Sequence, residues 1–312
     1  MGGIGGNVVG VKHPVAGSCR RAYIGWMRPH LLALFAALTV LASSPLGTAA
    51  GAAELTRSST NLSFETVVAG LTVMITDADV ELDARGYRVD IATRTAGAYR
   101  VLFRGETRTL AQGLWAGDLV APLRYAVDGI WRGTPRRTLI DYTAGQPAIL
   151  RLDPANDAER EPVPLPLQRE TIDTISAAAL LARRATTTGR CDGAARTFDG
   201  RRLFEVESRT VGWEALPSDT ISAIAGPALR CDFEGRVLAG FLLNSDRDSA
   251  ARPQQGTAWF ARLTPDAPML PVRMRFTIRW IGSATMTLTG IRPDGPPLVR
   301  QRADADATPL RQ

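Results

Sequence analysis

The sequence predicts a mainly β fold: an antiparallel incomplete barrel (a half-barrel) with one or two helices packed in or against it. Three observations predict it. Segment after segment alternates apolar and polar side chains with period two, as strands with one dry and one wet face do. Most of these segments are joined by short turns, and short connections make antiparallel neighbours. Only Thr171 to Ala185 repeats apolar residues at strong helical spacing. A large twisted sheet tends to curl, and a lone helix buries its dry side against it.

Leu62 to Val68 reads as the first strand, turned by Ala69-Gly70. In the next, Val73 to Leu82, the residues Met74, Thr76, Ala78, Val80 and Leu82 make one mostly apolar face. Asp77, Asp79 and Glu81 lie on the other, with Asp83 at its end. Asp83-Ala84-Arg85-Gly86 supplies a turn, after which Tyr87, Val89, Ile91 and Thr93 face inward. Pairing Leu82 with Tyr87 sets Glu81 opposite Arg88, which is favourable, and Asp79 opposite Asp90, which is not. Either this register slips or a positive group sits beside the two acids.

Ala98 to Phe103 fits a short helix or a strand. Gly105–Trp115, Leu119–Trp131, Arg136–Tyr142 and Ala148–Leu152 read as further strands. Asp153 to Pro166 loses all periodicity and reads as an exposed extended linker. The helix follows, with Asp173 as its cap, Arg183 and Arg184 near its C-terminal end and Gly189 as its stop. Asp199-Gly200 is a strong hairpin signal, entered by Thr197-Phe198 and left by Arg201 to Arg209. Ala228–Phe233 and Val237–Leu243 read as two strands, Asp246–Gly256 as a polar loop, and Trp259–Leu263 as a short strand. Val272, Met274, Phe276, Ile278 and Trp280 then alternate with Arg273, Arg275, Thr277 and Arg279. Past Gly282-Ser283, Ala284, Met286 and Leu288 face back.

Residues 1–53 carry Lys12, Arg20, Arg21 and Arg28, no acid, an apolar run from Leu31 to Ala42 and a small-residue exit. That is the pattern of a secretory signal, with cleavage expected between Ala50 and Glu54. The run is well short of the ~20 residues that span a bilayer. Met27 would make a second workable start, and Arg20-Arg21 loosely fits a twin-arginine signal. The remainder reads as one β-rich periplasmic domain over 54–291, followed by a polar, disordered tail over 292–312. The expected place is the periplasm.

Losing that segment removes four of 37 basic residues and none of the 31 acids, leaving a net charge of +2. A basic nucleic-acid stripe is therefore not expected. It also removes both histidines, His13 and His30, and the single lysine, Lys12. The rest of the chain then lacks Ser-His-Asp and Cys-His pairs, imidazole metal ligands and Schiff-base chemistry. No metal or other cofactor is expected. A two-carboxylate hydrolase stays open in principle.

Cys191 and Cys231 are the two cysteines beyond the signal region. In an exported chain such a pair is expected to form a disulfide, and no His or Lys is present to activate a thiol. The acids Asp77, Asp79, Glu81 and Asp83 read as a solvated strand face. Alternate strand positions lie ~6.6 Å apart, too spread for one cation. Arg273, Arg275 and Arg279 could meet an anionic headgroup or could be the wet face of an amphipathic strand. Phe64, Phe103, Trp115, Trp131, Phe204, Trp259, Phe276 and Trp280 could line an apolar cavity or could pack as core.

Several motifs carry a resemblance: Phe64 to Leu71, Tyr87-Arg88-Val89-Asp90 with Thr95-Ala96-Gly97, and Arg190-Cys191-Asp192-Gly193 leading to Phe198-Asp199-Gly200-Arg201-Arg202. Gly226-Pro227-Ala228-Leu229-Arg230-Cys231 and Leu270-Pro271-Val272-Arg273 complete it. Over most of Leu62 to Ile291 the chain resembles an exported proteobacterial family, the domain of unknown function 3108. It departs from that pattern between Gly212 and Ala225. The resemblance implies a periplasmic place and a fold similar to the half-barrel lipoprotein carriers of the envelope. It brings no catalytic residue with it.

The expected function is a non-enzymatic envelope protein that binds an apolar or amphipathic molecule, or a partner, on a concave sheet. Envelope lipid, lipoprotein or a polymer component would be the partner, and nucleic acid would not. The alternative is a scaffold or assembly factor for envelope polymers, using a sheet edge or the arginine row.

Overall fold

The computed structural model describes residues 59–278 and 282–293. Residues 1–58, which hold the expected signal, 279–281, with Arg279 and Trp280, and 294–312 lie outside the described residues. The N-terminal strands are β1 (Ser59–Val68), β2 (Leu71–Leu82) and β3 (Gly86–Thr95), followed by helix α1 (Tyr99–Leu102). Then come β4 (Gly105–Ala116), β5 (Leu119–Trp131), β6 (Thr134–Thr143) and β7 (Gln146–Asp153). A short α2 (Leu165–Gln168) and the long α3 (Thr174–Thr188) connect to β8 (Gly193–Phe198), β9 (Leu203–Leu216) and β10 (Gly226–Ala239). Helix α4 (Arg247–Ala251) leads to β11 (Gln254–Arg262), β12 (Met269–Ile278) and β13 (Gly282–Pro293).

Among the described residues, thirteen strands form one antiparallel sheet in the order β7-β6-β5-β4-β3-β2-β1-β13-β12-β11-β10-β9-β8. Each hairpin pairs with its sequence neighbour. The first strand and the last meet in the middle, with Leu62 opposite Ile291 and Phe64 opposite Leu288. No ladder joins β7 to β8, so the sheet is open.

Packing closes what hydrogen bonds do not. Ile140 and Tyr142 of β6 share a core with Phe198 and Leu203, which flank the β8–β9 turn. Gly200, at the tip of that turn, has φ +88°. A Cβ there would fall 2.9 Å from Thr138 Cγ2 and 3.4 Å from Leu152 Cδ1. Glycine thus supplies both the backbone conformation and the close approach. Asp199 Oδ1 accepts from the amides of Arg201 and Arg202 at 2.9 and 2.7 Å. Arg201 Nη2 reaches Asp153 O at 2.7 Å, tying the turn to the end of β7.

Helix α3 lies on the inner face. Asp173 caps it, and Gly189 ends it at φ 64°. Ala179 packs on Tyr87 and Val89, while Ala182 and Ala185 join the main core with Leu62, Phe64, Leu229 and Val272. Small side chains let the helix approach the sheet closely.

Four sequence expectations need correction. The linker 153–166 is pinned, not free. Glu161 N donates to Phe241 O at 2.9 Å, Arg136 holds Glu159 with two bonds of 2.6 and 2.7 Å, and Val163 is buried. Its acids act as anchors. Ala228–Phe233 and Val237–Leu243 are not two strands, because β10 runs through Gly235, which has partners Val206 and Gln254 on either side. The polar loop from Asp246 holds α4, and β11 begins earlier than the alternation suggests, at Gln254. The acidic face is not solvated: Asp77 is 1% exposed and Asp79 5%, because β1 covers them with hydrogen-bonding side chains.

Candidate functional site

Two regions gather polar chemistry, one on each face of the sheet. The inner one surrounds the start of α3. Asp173 is fully buried. Its Oδ1 accepts from Ser176 N at 2.8 Å and its Oδ2 from Ser176 Oγ. Ser176 Oγ also meets Tyr87 Oη of β3 at 2.5 Å. Burial pushes the Asp173 carboxyl up from its ordinary range, outweighing the bonds from Ser176 that would lower it. Tyr125 and Tyr142 stand nearby, their hydroxyls pushed up chiefly by burial and further by Asp173. Tyr142 Oη is buried without a partner.

These groups cap and clamp the helix. Ser176 Oγ bridges Asp173 and Tyr87 Oη, which ties the first turn of α3 to β3. The far end of α3 is held as well. Thr186 Oγ1 accepts from Met269 N at 2.8 Å and Thr186 O from Arg262 Nη2 at 3.0 Å. The Cys191–Cys231 disulfide then joins the residues after α3 to β10.

The outer region is an open cleft of about 350 Å³ across β3 to β7. Arg88, Arg108, Arg137 and Arg151 line it with Asp90 and Asp128, over a floor that includes Leu110, Ala126 and Leu139. Arg108 Nε and Nη2 hold the two Asp90 oxygens at 3.0 and 3.1 Å, and Arg88 Nη1 donates to Gln112 Oε1 at 2.8 Å. Arg137 Nε reaches Asp128 Oδ1 at 3.2 Å, and Arg151 Nε reaches Asp153 Oδ2 at 2.7 Å. Four guanidinium groups meet three carboxylates, Asp90, Asp128 and Asp153, so each is ion-paired and the cleft carries an excess of one positive charge toward an anion. Among the described residues, no group of three or more His, Cys, Asp or Glu is placed to hold a metal ion.

The seven described aromatic residues singled out in the sequence lie in different parts of the sheet, and Trp280 lies outside the described residues. Phe64 is core beside Leu62 and Leu288. Trp115 stacks on Tyr87 at 5.1 Å, donates from Nε1 to Asp83 O at 2.8 Å and carries Arg183 over its ring at 4.6 Å. Phe103 and Trp131 lie at the end of the sheet that holds α1. Phe103 sits against Tyr99, and Trp131 lies across Gly105. Phe204 lies under Arg202, and Phe276, 38% exposed, makes an edge contact with Phe233.

Trp259 is buried, its Nε1 donating to Glu214 Oε2 at 2.9 Å. Arg273 and Arg275 lie over it, 5.9 and 5.7 Å from the ring centre, beside Arg230 at 6.0 Å. That stacking uses the row to cover an aromatic side chain.

Sequence reading missed both regions. The Asp173-to-Ser176 spacing was a legible cap, but its contact with Tyr87, 89 residues from Ser176, was not. The cleft rests on charges at matching ladder positions, which become visible only once the register is known.

No curated protein matches the chain. One similar solved structure is that of a β-barrel-like protein of domain of unknown function DUF1849 from Brucella abortus. It is 10% identical, with 76% of this chain and 98% of that chain covered and a TM-score of 0.47. The family described as "Protein of unknown function (DUF3108)" matches residues 59–289, from β1 into the second half of β13, and the chain belongs to it.

Proposed function

We propose that the protein is a non-enzymatic scaffold of the periplasm that holds an anionic envelope component against its outer face. The observation that carries this reading is the placement of α3. The inner face, where a carrier would seat its lipid, is packed by Ala179, Ala182 and Ala185, and both helix ends are bonded to the sheet. The outer cleft offers the opposite environment, with open access and four guanidinium groups against three carboxylates. The missing imidazole and amine side chains beyond residue 53 favour holding over turnover.

A photo-crosslinking residue placed at Arg151 and, separately, at Ala182 tests the proposal in cells. Adducts to protein or polymer at Arg151, with none at Ala182, are expected. Lipid adducts confined to Ala182 would replace the scaffold by a carrier. One observation favours that second reading: the unpartnered Tyr142 hydroxyl on the inner side, which a ligand oxygen could satisfy.

A further inference from the structure

In an antiparallel meander, successive turns alternate between the two ends of the sheet. The β1–β2, β3–β4 and β5–β6 connections therefore share one end. At that end the polarity expected of turns is inverted. Leu71 is 64% exposed, and in α1 Val101 and Leu102 are 87% and 75% exposed. The two elements touch: Ala96 N donates to Val73 O at 2.9 Å, and Gly97 packs against Thr72 O. Folding leaves aliphatic tips in water that neighbouring residues could have covered.

Within the three connections the charges are of one sign, while Glu65 of β1 accepts from Thr72 Oγ1 at 3.3 Å on the flank. Arg100, Arg104 and Arg132 are exposed, and none of them makes an ion pair among the described residues. Residues 69–73, 96–105 and 131–135 contain no Asp or Glu. The turns at the opposite end do carry acids, Asp83 and Asp118. Tyr99 and Phe103 stack at 4.8 Å behind the tips, and Arg132 lies over Phe103 at 5.1 Å.

Protruding aliphatic side chains, aromatic rings one layer back and unpaired arginines around them match the depth profile of a bilayer interface. Apolar tips enter the acyl boundary, rings sit at headgroup level and guanidinium groups meet phosphates. A protein groove would more often present a recess than a tip. We infer that this end of the sheet, carried by Leu71, Val101 and Leu102 and ringed by Arg100, Arg104 and Arg132, docks the protein on an anionic lipid surface. The outer cleft would then stand at the flank of the docked molecule.

Flotation with vesicles tests this on the full exported chain. Vesicles of phosphatidylglycerol and phosphatidylethanolamine are compared with phosphatidylcholine alone. Binding is expected to the first and not the second, and to weaken with salt. The double variant V101E/L102E should lower partitioning at least tenfold. Replacing each of Arg100, Arg104 and Arg132 by Ala should lower it about fivefold per arginine. L119E, an equally exposed site at the opposite end, should leave it unchanged. No flotation of the wild type with anionic vesicles would overturn the inference. So would V101E/L102E floating as well as the wild type, or L119E lowering flotation equally. The substituted side chains are exposed, so unchanged thermal transitions should accompany every result.

Discussion

Asp79 and Asp90 stand directly opposite each other across the β2–β3 ladder. Two carboxylates at that spacing repel, and the register survives because each has its own partner on a further strand. Asn61 Nδ2 donates to Asp79 Oδ1 at 2.7 Å from β1, and Arg108 takes both oxygens of Asp90 from β4. Four adjacent strands are thereby tied by one polar ladder.

Arg108→Ala should consequently lower stability by about 2 kcal/mol, since it leaves the buried Asp90 with the longer Arg88 Nη2 contact at 3.6 Å. The double variant Arg108→Ala/Asp90→Asn should recover more than half of that loss. Urea unfolding of the wild type, both single variants and the double variant gives the coupling as a thermodynamic cycle. Strict additivity would show that the two side chains do not depend on each other.

The Asp173 carboxyl has a folded pKa above its unfolded value of ~3.9. The native state therefore holds this proton more firmly than the unfolded chain does. The associated stability is complete below about pH 4 and is lost as pH rises through the folded pKa. Asp173→Asn keeps an acceptor for Ser176 N and removes the titration. The stability difference between this variant and the wild type should therefore shift in favour of the variant as pH rises from about 4 to about 8. Asp173→Ala removes the cap and should cost about 1–2 kcal/mol throughout. Midpoints in urea across that pH range decide it.

The disulfide closes a separation of 40 residues. Its loss in Cys191→Ser/Cys231→Ser should cost about 4 kcal/mol in the chain-entropy picture. The thermal midpoint should fall by roughly 10 °C. A reductant should bring the wild type to the same value.

Phe198 sits, fully buried, where the β8–β9 turn meets β6. Phe198→Ala should cost about 3–5 kcal/mol. Because no ladder spans β7 and β8, this seam should open before the rest. Hydrogen exchange in the variant should quicken first in β6, β8 and the turn between β8 and β9.

Much of this fold was legible in the sequence, for identifiable reasons. Period-two alternation placed nearly every strand, and the residue pairing of Leu82 with Tyr87 fixed the β2–β3 register as observed. Asp173 and Gly189 marked the two ends of α3 because capping is local. The gap left between Phe233 and Val237 is closed in the structure because Gly235 lies flat between two ladders. The buried acids misled because their partners, Asn61 and Ser63, belong to another strand and look ordinary by themselves.

The candidate sites were less legible. Aromatic content told nothing about surroundings, since Trp259 and Phe64 belong to one buried cluster, yet Trp259 also lies under a roof of arginines. The arginines at 273 and 275 alternate as a binding row would, but their stacking on Trp259 depends on which strand lies alongside. Cross-strand neighbours decide chemistry in a sheet, and spacing along one strand cannot supply them.

The pairing of β1 with β13 has a temporal consequence. A chain synthesised amino end first offers Leu62 and Phe64 long before Leu288 and Ile291 arrive. The earliest strand must wait, one side bare, while more than two hundred residues follow. Such distant pairing is slow and leaves an adhesive edge in the interim. Deleting only the final strand would leave two separate meanders instead of one shortened sheet, so the last dozen described residues act as the latch of the whole molecule.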